Sequence, residues 1–415
     1  MGVDLTAADR GMLDGREGDA SALAMRIVVE MANVWQAERL IDITAAHVDS
    51  CLYHGPAGLE FAELLVAGGG RVKVPTTLNV SSLDLLHPGL VRLDAETAAA
   101  ARRLMEAYVA MGCRPTWTCA PYQLEERPSL GEHVAWAESN AIVFANSVLG
   151  ARTNRCGDFI DICAAITGRV PEAGLHTDEG RRARVVVRLE DVSDRLLHDD
   201  VVGACIGHLL GKLVGSDVVA IVGLPSDTSE DLLKAIGAGA ASSGSVAMFH
   251  AVGVTPEAST LEAATGGVPP QRDIAFTAAD LRAARDELTT VGSGPIAAVS
   301  VGTPHLSAAE LGHLEQLVSA HPPTVPLFAN VSRDRAPAAV ELQHAGVVVV
   351  SDTCTYITPI LHDIDGPVMT NSAKWAWYAP ANLGFDVVFG SLEECVRSAA
   401  LGRVWRDPEL WGDHG

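Results

Sequence analysis

Residues 114–169 read RPTWTCAPYQLEERPSLGEHVAWAESNAIVFANSVLGARTNRCGDFIDICAAITGR. This stretch holds Cys119, Cys156 and Cys163, the guanidinium groups of Arg152 and Arg155, the amides of Asn140, Asn146 and Asn154, and the carboxylates of Glu138, Asp158 and Asp161. Soft sulfur donors, amides and anion-binding groups concentrated between short apolar pieces are the makings of an active-site segment. A further cysteine, Cys354, closes the β-branched run VVVVSDTC, and Cys119 closes TWTC in a similar way, each just ahead of a proline-containing loop. No two cysteines are spaced Cys-x-x-Cys, which argues against a structural zinc ribbon. Thiolates arriving from separate strand tips suit an iron or iron–sulfur site. With three cysteine ligands one iron position stays open, and the metal can then act as a Lewis acid on a hydroxyl or carboxylate. Two other readings of these cysteines stay open: small buried hydrophobes, or a lone cysteine nucleophile served by His54 or His133.

Two more stretches carry polar chemistry. Residues 71–79, RVKVPTTLN, read as a strand running out into Thr76, Thr77 and Asn79, and strand ends of open α/β sheets are where ligands bind. A plain helix-capping turn explains the same residues equally well. Near the other end, MTNSAKWAWYAP packs Asn371, Ser372, Lys374 and Tyr378 into one loop, where Lys374 and Arg152 could hold a substrate carboxylate. Gly68-Gly69-Gly70 follows a helical pattern and precedes a strand, so it reads as a helix C-cap and not a phosphate loop.

The elements that must position these groups alternate. Helical periodicity covers residues 19–35, 57–67, 95–112, 201–214, 277–288, 307–319, 337–344 and 392–401. Strand patterns cover residues 115–119, 183–189, 218–223, 242–254, 296–301, 325–330, 347–350 and 385–389. Thr6, Asp19 and Ser391 stand where helix N-caps are expected. This alternation predicts an α/β protein of several three-layer α/β/α units with mostly parallel sheets. We expect an N-terminal region, residues 1–225, carrying Cys119, Cys163 and Arg152, and a C-terminal region, residues 226–415, carrying Cys354 and the 371–374 loop.

A chain of 415 residues with 48% hydrophobic and 20% charged residues can bury more than one core. Its formal charge of −22 argues against nucleic acid or an anionic membrane as partner. No apolar run reaches membrane-spanning length and no signal pattern opens the chain, so a cytoplasmic protein acting on a small molecule is expected. Eight cysteines in so long a chain are no disulfide framework. Cys113, Cys205 and Cys395 sit in apolar contexts and read as buried hydrophobes.

Several blocks in consistent order from about residue 47 to 400 resemble the aconitase X family: HVDSCLYHGPAGLEFAELL, GGRVKVPTTLNVSSLD, TWTCAPYQ, GEHVAWAESNAIVFANSVLGARTNR, DFIDICAAITGR, FHAVGVTPEA, SDTC and TNSAKWAWYAP. The resemblance implies an aconitase-like fold with its active site in a cleft between domains, and an iron-dependent hydro-lyase. It implies a 2Fe–2S cluster ahead of a 4Fe–4S cluster, or mononuclear iron. The implied ligands are Cys119, Cys354 and Cys163, with Cys156 ranked below Cys163. Thr77, Arg152, Asn154, Asn371 and Ser372 would hold substrate, Lys374 or Tyr378 would be an in-chain base, and Glu138 would orient one of these groups. DFIDIC is similar to the bacterial branch that dehydrates cis-3-hydroxy-L-proline to Δ1-pyrroline-2-carboxylate. The competing readings are a mevalonate 5-phosphate dehydratase, another hydroxy-acid dehydratase, and an inactive iron-binding or scaffold subunit. The family's small swivelling domain, thought to supply a catalytic serine, is expected here on a separate subunit.

Overall fold

A computed structural model describes residues 2–411 of the chain. The chain divides into two compact units, one formed by the residues up to Leu83 with Leu93–Arg182, the other by Asp84–Arg92 with everything from Ala183 onward.

In the first unit, β1 (Leu40–Asp42) pairs antiparallel with β5 (Arg169–Pro171). β2 (Ala45–Val48), β3 (Thr76–Leu78) and β4 (Val134–Trp136) form a parallel sheet in the order β3-β2-β4. Helix Asp19–Val34 buries Met25, Val28 and Ala32 along one face, the helical spacing seen in the sequence. Thr6 caps helix Ala7–Leu13 through a reciprocal capping box with Asp9. Gly68 is the C-cap of helix Pro56–Ala67, as the triple glycine predicted. Two local expectations differ. Asp19 is the first residue of its helix, and Gly18 stands at the N-cap. Residues 115–119 form no strand, because Trp117 takes φ 45° and breaks the extended backbone before Cys119.

The second unit holds two all-parallel sheets. β6 (Val185–Glu190), β7 (Val219–Val222), β8 (Phe249–Ala251) and β9 (Arg272–Thr277) lie in the order β8-β7-β6-β9. β10 (Ala298–Val301), β11 (Leu327–Asn330), β12 (Val348–Val350), β13 (Val368–Thr370) and β14 (Val387–Phe389) lie in the order β12-β11-β10-β13-β14. Strands buried on both faces read as continuous β-branched runs, and Val185, Val186 and Val187 of β6 are all fully buried. The mixed α/β fold with mostly parallel sheets expected from the sequence is therefore the fold observed. The division expected at 225/226 would separate β8 and β9 from the strands they pair with, whereas the observed one at 182/183 keeps that sheet whole. Residues 242 and 243, expected to open a strand, instead end helix Glu230–Ser243.

Helices Ala308–Ala320 and Leu392–Leu401 cover the five-stranded sheet with Leu311, Leu314, Val318, Val396 and Ala399. Helix Asp200–Val214 packs on helix Glu230–Ser243 with the backbones in near contact. A Cβ on Gly207 would stand 2.2 Å from the Ile236 carbonyl oxygen, and one on Gly239 would stand 2.8 Å from the His208 nitrogen. The glycine-rich run 237–244 thus serves helix packing.

Candidate functional site

All strands of the five-stranded sheet point the same way, so the segments that follow them collect along one edge. β12 is followed by Ser351, Asp352, Thr353 and Cys354, all of them buried. Asp352 takes φ 62° and accepts Arg333 Nε at 2.8 Å on Oδ1 and Nη2 at 2.6 Å on Oδ2. It also accepts the Leu85 amide at 3.1 Å, while Asp84 accepts the Ser351 amide at 2.9 Å. The loop carrying Cys354 is therefore tied down by two buried carboxylates. β10 is followed by Gly302, Thr303, Pro304 and His305, and His305 Nε2 lies 3.8 Å from Cys354 Sγ. Sulfur and imidazole nitrogen side by side, both buried, are a donor set that suits iron. His305 was missed in the sequence, although GTPH directly after a buried strand pattern marks a strand tip as clearly as SDTC does.

β13 leads into helix Ala373–Leu383, and Ser372 caps it by accepting the Trp375 amide at 3.1 Å. The Ser372 hydroxyl also donates to the Thr303 carbonyl, joining the β10 and β13 tips. Asn371 Nδ2 donates to Asp200 Oδ2 at 3.1 Å. Lys374 is buried in the first turn, its Nζ 5.7 Å from the Tyr356 ring centroid, and Tyr378 stacks on Tyr356 with centroids 5.9 Å apart. The loop expected from the sequence is thus a helix start that gathers Lys374, Tyr356 and Tyr378.

In the first unit, Cys119 is buried just before the short turn Pro121–Gln123. The Thr118 amide beside it donates to the Leu78 carbonyl at 3.2 Å. Thr77 Oγ1 lies 2.8 Å from Nδ1 of the fully buried His47, whose pKa burial lowers to about 4 against the opposing charge of Glu138. Glu138 caps helix Ser139–Phe144, accepting the Ala141 amide at 2.6 Å. Cys163 lies fully buried on helix Ile160–Thr167, and burial together with the charge of Asp161 pushes its thiol well up. Cys156 is pushed up to about 12 by burial and the same carboxylate. Asp161 accepts four donors: the Asp49 amide at 2.8 Å, the Ser50 amide at 3.1 Å, the Ser50 hydroxyl at 3.0 Å and the Ile162 amide at 2.6 Å. Burial still raises it to about 7.

Two residues expected to hold substrate are engaged elsewhere. Asn154 spends both ends of its amide on the backbone, accepting from the Leu175 nitrogen at 2.8 Å and donating to the Ala173 carbonyl at 2.9 Å. Arg152 pairs with Asp178 at 2.5 Å and donates to the His176 carbonyl at 3.2 Å. Both brace the 173–178 turn.

Residues 2–179, 183–286 and 296–401 match the first, second and third domains of aconitase X in turn. The chain belongs to the aconitase X family. It is 45% identical over 413 residues to the cis-3-hydroxy-L-proline dehydratase of Pseudomonas aeruginosa, covering 97% of this chain and 71% of that one. Against the enzyme of the same name from Hypocrea jecorina it is 41% identical over 414 residues, with 97% and 69% covered. Against the phosphomevalonate dehydratase large subunit of Methanothermobacter thermautotrophicus it is 37% identical over 406 residues, with 95% and 98% covered. The crystal structure of Thermococcus kodakaraensis aconitase X in its holo form superposes with a TM-score of 0.85 at 32% identity, covering 96% of this chain and all of that one. Among the described residues, no helix is long and apolar enough to cross a membrane.

Proposed function

We propose that the chain is the iron-carrying part of a dehydratase that converts cis-3-hydroxy-L-proline to Δ1-pyrroline-2-carboxylate in the cytoplasm. The observation that carries this reading is the 45% identity over 413 residues to a dehydratase named for that substrate, against 37% for the phosphomevalonate relative. The proposed ligands are Cys354 and Cys119, with His305, which stands beside Cys354, as a third donor. Iron held there, as a cluster or a single ion, supplies a Lewis acid for the departing C3 hydroxyl.

The chain's own residues do the rest. The Cα proton leaves to a base as the C3 hydroxyl leaves as water, and the enamine so formed tautomerises to the cyclic imine. Lys374 and Tyr378 lie four residues apart on one helix face, and with Tyr356 between their side chains they form the in-chain candidates for moving that proton. Asn371 and Ser372 hold the β13 tip in place beside β10. A small swivel-domain subunit is the proposed partner, supported by the large-subunit relatives, of which this chain covers 98% or more in several cases.

The test is purification without oxygen, a visible spectrum and iron analysis, then assay with the small-subunit partner on cis-3-hydroxy-L-proline and on mevalonate 5-phosphate. Turnover of the imino acid is expected. Turnover of the phosphate compound alone would overturn the substrate, and full turnover by a colourless, iron-free protein would overturn the metal.

A further inference from the structure

A cavity of about 340 Å³ opens in the second unit where the strand order of the five-stranded sheet reverses, between the tips of β10 and β13. In open α/β sheets ligands bind outside the carboxyl ends of the strands at that point. Thr303 and Asn371 form the wall from the two strands, and Asp200, Asp231, Lys234 and Glu310 line it from the helices. The chain runs directly from this wall into His305, the neighbour of Cys354.

Three carboxylates and one ammonium stand in the wall, together with the imidazoles of His313 and of His198, which faces Asp227 at 3.5 Å. Lys234 is spent on two of the carboxylates: its Nζ lies 3.1 Å from Asp231 Oδ1 and is bonded to Glu310 Oε2. The third, Asp200, accepts Asn371 Nδ2 at 3.1 Å and the Leu392 amide at 3.0 Å, and shares a hydrogen bond with the neighbouring carboxyl of Asp199. Among the described residues no lysine or arginine pairs with it. Burial and the neighbouring Asp199 hold this carboxyl toward its protonated form, and a cation brought into the cavity would favour the carboxylate and pair with it. An independent sign comes from Thr303, whose hydroxyl is buried without a hydrogen-bond partner in the same wall.

We infer that this cavity receives the ammonium end of an amino- or imino-acid substrate, with Asp200 as its counter-charge. The inference rests on the proposed function and deepens it. A phosphate would meet three acidic side chains and a lysine already paired with two of them, whereas a pyrrolidine ring brings a cation for Asp200 together with polar groups for Thr303.

The probe is L-proline, which has the ring, ammonium and carboxylate but no hydroxyl to lose, titrated into the full chain by calorimetry. Wild type should bind it. Asp200→Asn, which keeps an acceptor for the Leu392 amide, should bind at least about tenfold more weakly with an unchanged circular dichroism spectrum. Ala309→Leu adds bulk from an exposed position on the rim and should also weaken binding, which carries the test if Asp200→Asn does not fold. Wild type that ignores L-proline, or variants that bind it as well as wild type, would overturn the inference. The assembled enzyme separates the two readings. Dehydration of cis-3-hydroxy-L-proline with the same KM in Asp200→Asn sinks the ammonium site alone. Loss of L-proline binding in the variant, in an enzyme that never dehydrates the imino acid, supports the site and sinks the proposed function.

Discussion

Replacing Asp352 by asparagine removes one charge from the loop that carries Cys354 and leaves its shape alone. The residue sits at φ 62°, a left-handed conformation that asparagine also tolerates, so the exchange adds little backbone strain. What changes is the hydrogen bonding. The fully buried carboxylate accepts two Arg333 donors at 2.8 and 2.6 Å and the Leu85 amide at 3.1 Å. An asparagine must turn its NH2 toward at least one of these donors. Losing a charged hydrogen bond inside a protein costs about 1.5–3 kcal/mol, and an unpaired buried donor adds to it. Arg333 is about one-third exposed, 34% by side chain, so water takes over part of its share and lowers the sum. The net expectation is a loss of about 2–3 kcal/mol, measured by urea unfolding followed by tryptophan fluorescence. Iron bound per chain should fall with it, because Cys354 stands two residues further along the same loop. A change smaller than about 0.5 kcal/mol would refute the claim that this pair ties the loop down. A clear loss of stability with iron content unchanged would detach the loop from the metal.

Cys354→Ser, Cys119→Ser and His305→Ala should each strip iron from anaerobically purified protein, whereas Cys163→Ser and the core variant Cys395→Ser should retain it; iron analysis with the visible spectrum decides. Asp161→Asn should cost about 2–4 kcal/mol in urea unfolding, since all four groups facing its oxygens are donors and an amide nitrogen cannot accept from them. Gly207→Ala should lower the thermal midpoint, the new methyl having to push the Ile236 carbonyl away at an overpacking cost of about 1–3 kcal/mol. His47, lowered to about 4 from 6.5, binds its proton in the unfolded chain first. Its neutral burial is therefore free of penalty above pH 6.5, and stability is lost as pH falls from there toward 4. In His47→Gln that share is absent, so the loss of stability between pH 7 and 5 should be smaller by about 2 kcal/mol than in wild type. Asp161 titrates in the opposite sense over the same range in both proteins and cancels in the comparison.

Much of the local structure was legible because its causes are local. Thr6 and Ser391 cap their helices as expected, and each does so within four residues of chain, in a capping box with Asp9 and Glu394 respectively. Gly68 ends its helix where the glycine run begins. The parallel sheets were legible from continuous β-branched runs such as Val347–Val350, which only burial on both faces explains. The chemistry-bearing segments could be picked out by residue type, and Cys354, Lys374 and Asn371 do lie along the edge of one sheet.

Tertiary structure decided which of those groups meet and which are already spent. His305 and Cys354 are 49 residues apart and become neighbours because β10 and β12 flank β11, an order that no local pattern encodes. Asn154 was chosen for its amide, yet the turn at 173–175 consumes both ends of it. Trp117 looked like strand and instead takes a positive φ with its side chain buried, a conformation that its intrinsic preference opposes. The Asp200 cavity was invisible for the same reason, since its wall draws on five stretches, with Asp200 and Leu392 standing 192 residues apart in the chain. Residue type states what a side chain can do; the order of strands in the sheet determines what stands close enough for it to act upon.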